Sequence, residues 1–201
     1  MQGDFEVRAY SPTVWATTTV SGLHYNDAVS TAFKRLFAFI SGANSERVPI
    51  PMTAPVVVRV TPGPGPYCGT DFTVGFFVPA AFQQAPPTPS DPAVTITTMG
   101  AATFAVASYP GWAEEQKVLA VATQLGAALQ AEGVAFTSTH FFTAGYDSPF
   151  RLFDRHNEVL FQLAAQPSDD APQQLGEGLP PTARLSSAAA TTTAAAHTGT
   201  S

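Results

Sequence analysis

The chain predicts an α+β fold: a distorted antiparallel β-barrel or curved sheet of two pseudo-repeated β-helix-β-β halves, with two helices packed outside. Three observations lead there. Apolar residues recur at helical spacing in two segments, strand-like runs surround each segment in the same order, and 201 residues with 45% apolar content suffice for one core.

The first helix is expected after Asn26 or Asp27 as N-cap, with Val29, Phe33, Leu36 and Ile40 forming one apolar stripe that closes at Ser41-Gly42. The second opens after Gly111 with Glu114 and Glu115 in its first turn, repeats Val118, Ala122, Leu125 and Leu129, and closes at Gly133. Strand-like runs at 5–10 and 14–20 precede the first helix, and runs at 51–60 and 72–78 follow it, split by Thr61-Pro-Gly-Pro-Gly-Pro66. Around the second helix lie 94–98, 103–108, 139–144 and 159–163. Each half therefore has a leading strand that is broken or bent. The halves share pattern and not identity, and the proline-rich stretch Ala85 to Pro92 is the expected crossover between them.

Fifteen acidic against nine basic residues give a net charge of -6, which disfavours nucleic acid and anionic membranes as partners. Cys68 is the single cysteine, so neither an internal disulfide nor a thiolate metal cluster is available. Residues 1–10 lack the basic and apolar regions of a signal peptide, and no apolar run approaches membrane-spanning length, so a cytoplasmic location is expected. From Pro167 the composition turns to Pro, Ser, Asp, Gln and Gly, then to a run of Ser, Ala and Thr. Such a stretch cannot build a core, so 4–166 is the expected domain and 167–201 a disordered low-complexity tail.

No phosphate-cradling glycine loop, nucleophile elbow or His-x-x-x-His pair is present, and no catalytic activity is expected. The most informative segment is 146–158, which sets Phe150 and Phe153 beside Arg151, Arg155 and His156 on a loop between strands. That combination suits a flat apolar ligand with acidic groups, or else a hairpin tip whose aromatics tuck into the core. Glu158 begins the last strand and shares a strand face with His156; it either accepts local hydrogen bonds or serves as a functional carboxylate, and the pair alone is a weak metal claim. On the first helix Ser30, Lys34 and Phe37 share the flank beside the core stripe, as a binding surface or as a wider core edge.

Several motifs occur together and in order: Phe5-Glu-Val-Arg-Ala-Tyr10 with Trp15, Phe33-Lys-Arg-Leu-Phe37, Ile40-Ser-Gly-Ala-Asn44, Met52-Thr-Ala-Pro-Val56, Phe72-Thr-Val, Pro86-Pro-Thr-Pro89, Ala144-Gly-Tyr-Asp-Ser-Pro149 and Asn157-Glu-Val159. They resemble the SOUL heme-binding family. The resemblance implies a distorted β-barrel of two β-helix-β-β halves and a shallow apolar groove for heme between the first helix and the loop before the last strand. Where heme-binding members present basic residues toward the propionates, this chain has Ser30 and Ala38, with Lys34 or Arg151 as substitutes. Where some members have a histidine considered an iron ligand, it has Ala9, leaving His156 as the candidate.

The leading expectation is a monomeric, cytoplasmic, non-catalytic binder of heme or another tetrapyrrole through Ser30, Phe33, Lys34, Phe37, Phe150, Arg151, Phe153 and His156. The alternatives are an interaction protein using the helix Val118 to Leu129 in a partner's groove, and an effector sensor or hydrolase using Glu158. Truncation after Gln166 is expected to leave the melting temperature and ligand affinity unchanged; a drop of more than a few degrees in a thermal melt would show that the tail docks on the domain.

Overall fold

The computed structural model describes residues 5–65, 69–148 and 150–164. Cys68 and the expected tail, 167–201, lie outside them. The elements run β1 (Glu6–Tyr10), β2 (Thr13–Gly22), α1 (Tyr25–Ile40), β3 (Val56–Thr61), β4 (Thr70–Phe77), β5 (Thr95–Met99), β6 (Ala102–Pro110), α2 (Glu115–Ala131), β7 (Phe141–Gly145) and β8 (His156–Gln162). The eight strands form one antiparallel sheet in the order β1-β6-β8-β7-β3-β4-β2-β5. Exchanging β1–β4 with β5–β8 turns this order into its own reverse.

The sheet is curled by its connections. Tyr10 pairs with Ala102, and Thr13 pairs with Met99. The ribbon β1/β6 therefore leads into the ribbon β2/β5 through Ser11-Pro12 on one strand and Gly100-Ala101 on the other, although the two ribbons stand at opposite ends of the strand order. Two-residue links force those ends together at one double corner. Pro12 has no N–H to continue a ladder, and Gly100 carries no side chain to resist the bend. This corner is the break expected in each leading strand. On the inner face Met99 packs with Val57, Phe104 and Tyr146 against Val106, Phe142, Ala144 and Leu160, so the edge strand β5 reaches residues from the far half of the sheet.

Both helices cover the other face. The main core joins Leu36 and Phe39 of α1 and Val118, Ala122, Leu125 and Leu129 of α2 to Val58, Val74, Phe76, Ala105, Val159 and Phe161 of the sheet. The stripe expected for α2 is the buried one. On α1 the buried set is Tyr25, Ala28, Ala32, Leu36, Phe39 and Ile40, while Val29 and Phe33 are only half-buried. The helix also starts earlier than expected, with His24 at the N-cap. A distant residue supplies the cap: Glu115 Oε2, in the first turn of α2, accepts the Tyr25 backbone N–H at 3.3 Å, and the Tyr25 hydroxyl lies 2.8 Å from Thr143 Oγ1. The expected strand at 51–60 begins only at Val56, after Pro51 and Pro55 and a Thr53 hydroxyl that donates to the Phe77 carbonyl.

Leu36 is 0% exposed, so Leu36→Ala is expected to cost about 2–5 kcal/mol. Leu119, on the outer face of α2 and 49% exposed, is expected to tolerate alanine within about 0.5 kcal/mol. Denaturant melts of the two variants check this, and equal midpoints would contradict the helix orientations described.

Candidate functional site

With Tyr25, Ala28, Ala32, Leu36 and Phe39 turned into the core, helical geometry leaves Ser30, Phe33, Lys34 and Phe37 on one rim of α1. Phe33 and Phe37 stack with ring centroids 6.0 Å apart and planes 13° from parallel. Phe33 anchors the pair by packing edge-on against Phe76, at 5.1 Å, whereas Phe37 is 51% exposed. Phe33, expected in the core stripe, therefore sits half-buried at its edge, and Phe37, expected on the flank, stands out from the core. Ser30 and Lys34 are exposed beside them.

The β7–β8 loop exposes Phe150, Leu152 and Phe153 at 90%, 63% and 79%. These aromatics do not tuck into the core, and Leu152 is an apolar contributor that the sequence reading missed. The loop is nevertheless tied down. The buried Asp147 carboxylate accepts from Arg151 Nη1 at 2.9 Å and from the backbone N–H of His156. Arg155 donates Nη1 to the carbonyls of Ser148 and Arg151, at 2.9 and 2.6 Å, and Nη2 to that of Asp147. Its guanidinium lies 4.1 Å from the ring centroid of Trp112. Next to Trp112, Gly111 donates its N–H to the Arg155 carbonyl and accepts from Asn157 Nδ2 at 2.7 Å. Its φ of +87° and a Lys117 Nζ only 3.2 Å from where a Cβ would stand make glycine the fitting residue there.

The rim of α1 and this loop occupy the same end of the sheet. Phe76, under Phe33, pairs with Val56; Val56 pairs with Gly145, and Gly145 with Asn157. Two strand spacings, about 10 Å, thus separate the strand beneath Phe33 from the strand that leads into the loop. Among the described residues no hydrogen bond, ion pair or aromatic contact joins the α1 group to Phe150, Arg151 or Phe153.

His156 is brought elsewhere. The last strand starts at His156, three residues before the expected run, and its alternation turns Val159 and Phe161 toward the helices and His156, Glu158 and Leu160 toward the inner face. His156 Nε2 is 3.0 Å from Glu158 Oε1, as their shared face required. Glu158 is 1% exposed and also accepts from Arg8 Nη1 at 2.9 Å and from the Tyr146 hydroxyl at 2.7 Å, while Arg8 pairs in addition with Glu6. Burial alone would raise the Glu158 carboxyl, but hydrogen bonds from Tyr146, His156 and Arg8, with the Arg8 charge, more than offset it and hold the carboxyl below the usual carboxylate range. Burial, and the hydrogen bond to the same carboxylate, push the Tyr146 phenol well above its ordinary value. Arg8 and Tyr146 stand in motifs quoted above, but nothing local in the sequence assigns them to Glu158; the strand alternation of Glu6, Arg8 and Tyr10 is the available signal. Among the described residues no group of three or more His, Cys, Asp or Glu side chains could hold a metal ion.

A carboxyl that titrates lower when folded contributes its stability fully above the unfolded value, about 4.3, and loses it as pH falls through the folded value. Glu158→Gln is therefore expected to cost about 1–3 kcal/mol at neutral pH, by leaving Arg8 without its buried partner. In denaturant melts across pH the gap between wild type and variant is expected to narrow below about pH 4; a gap independent of pH would contradict an ionised Glu158.

A family model described as SOUL heme-binding protein matches residues 1–162. The chain is 37% identical over 166 residues to "Heme-binding protein 2" of Mus musculus, covering 83% of this chain and 81% of that protein. It is 33% identical over 168 residues to "Heme-binding protein 2" of Homo sapiens, covering 84% and 82%. Among solved structures the EcmrR C-terminal domain has a similar fold, with a TM-score of 0.60 at 9% identity, over 82% of this chain and 99% of that one. By the family match and these relatives, the chain belongs to the SOUL heme-binding protein family.

Proposed function

We propose that the chain binds heme or another porphyrin without catalysing a reaction, buffering it as a monomeric cytoplasmic protein. The ring lies in a shallow open groove between Phe33 and Phe37 on α1 and Phe150 and Phe153 on the β7–β8 loop, with Ser30, Lys34 and Arg151 along its margin. One observation carries this reading: a stacked phenylalanine pair with one ring anchored on Phe76 and the other half in water. A flat apolar ligand removes that surface from water without reorganising the helix. The braced loop adds two further exposed rings, and because it is already ordered, binding costs little additional entropy. The family's relatives, named for heme binding, support the same ligand class.

The residues present fit the porphyrin ring better than its iron. His156, the expected axial candidate, has Nε2 on Glu158 and faces the side of the sheet away from α1, so in this reading the ring is held and the metal receives no bond from His156. Neither alternative reading gains an observation of its own. The apolar face of α2 is spent in the core, and Glu158 is already satisfied by Arg8, Tyr146 and His156.

Phe37→Ala is expected to weaken hemin binding about tenfold, or about 1.4 kcal/mol, while costing far less stability than Leu36→Ala. Spectroscopic titration and a denaturant melt read the two effects; a folded Phe37→Ala protein with unchanged affinity would place the ligand elsewhere. His156→Ala is expected to leave the Soret maximum of the hemin complex unmoved, and hemin and protoporphyrin IX to bind with similar affinity. A shifted Soret band would make His156 the iron ligand after all.

A further inference from the structure

Porphyrins of biological origin carry carboxylates, and a site built to read them needs cations that are not already matched. The β7–β8 loop and the first residue of β8 provide two arginines and a histidine, and each makes contacts within the protein. Arg151, whose side chain is 55% exposed, has its charge matched by Asp147, which accepts from Nη1 at 2.9 Å, and donates Nε to the Phe153 carbonyl at 3.1 Å. Arg155 spends its guanidinium on three loop carbonyls and on the face of Trp112. His156 sits against Glu158 on the inner face. On α1 the charged residues are Asp27, Lys34 and Arg35, and Arg35 is half-buried with Nη1 directed at Thr18 Oγ1. That leaves Lys34 as the one exposed cation of α1, on a chain with a net charge of -6.

The apolar surface is large by comparison: Phe37, Phe150, Leu152 and Phe153 are all more than half exposed. A solvated lysine contributes little to an exposed ion pair, and screening by salt reduces that further, whereas apolar burial scales with the area covered. Resting on the porphyrin reading above, we propose that this site selects the tetrapyrrole ring through its apolar faces and is indifferent to its acid groups. Tetrapyrroles whose carboxyls are esterified are then ligands as good as the free diacids. The loop cations serve to hold the aromatics in place and do not meet the ligand's charge.

The test titrates the full chain with iron-free protoporphyrin IX and with its dimethyl ester at neutral pH, following tryptophan quenching and the Soret band. The expected dissociation constants agree within about threefold, and that of the diacid changes by less than about threefold between roughly 50 and 500 mM salt. An ester more than about tenfold weaker, or a diacid affinity falling as steeply with salt, would overturn the proposal in favour of a site that reads carboxylates. Phe37→Ala must weaken both ligands by the same factor; an ester unaffected by it is bound elsewhere, which also overturns the proposal. Ser30→Lys, which adds a second solvated cation to the rim, is expected to change the affinity of either ligand by less than about threefold, and a diacid tightened by more than about tenfold with the ester unchanged would overturn the proposal in favour of a rim that reads carboxylates. If neither porphyrin binds, the porphyrin reading itself fails and takes this inference with it.

Discussion

At the corner where Tyr10-Ser-Pro-Thr13 runs alongside Met99-Gly-Ala-Ala102, two paired strands turn together, and the geometry of the molecule follows from that turn. Two residues span too little distance to connect opposite ends of a flat eight-stranded sheet, so the sheet has to curl. Curling gives it two unequal faces. The outer one receives both helices and the large core, and the inner one closes on Val106, Phe142, Ala144 and Leu160. From there the period of two along a strand decides which side chains can cooperate: Val159 and Phe161 join the helix side, and His156 and Glu158 the inner side.

This sidedness separates two kinds of chemistry that stand close together in the sequence. The inner face holds a buried, ionised carboxylate that accepts from Arg8 and Tyr146 and pairs with His156, an arrangement that fixes the end of β8. The helix side and the loop tip hold aromatic rings with no polar partners and ample exposure. The Arg155–Trp112 stack links them mechanically, because it ties the loop to the start of α2 just where β8 leaves for the inner face. The exposed phenylalanines thus stand on a loop tied to the protein at several points.

Much of the architecture was legible in the sequence, since helical spacing marked both helices and alternating apolar runs marked most strands of the curled sheet. The errors trace to partners far along the chain. The start of α1 is set by Glu115, 90 residues away, which no local cap signal reveals. Val29 fits the expected stripe by spacing but not by rotation, because Tyr25, Ala28 and Ala32 meet the sheet first. In the candidate site Phe37 could be placed on a flank from spacing alone, whereas the exposure of Phe150 and Phe153 could not, since a loop's direction is set by tertiary ties such as Arg155 to Trp112. The pairing of Glu158 with Arg8, 150 residues apart, was equally invisible, and with it the fact that His156 is engaged.

The central claim is that the ligand lies on the helix-side rim and the loop tip, and not on the inner face. Comparing backbone amide NMR signals with paramagnetic hemin bound and with a diamagnetic zinc porphyrin bound tests it most directly. The account predicts selective broadening at residues 30–37 and 146–153, with the amides of Val106, Phe142 and Leu160 left sharp. Broadening centred on the inner-face strands around Glu158 and Arg8, with α1 untouched, would contradict it.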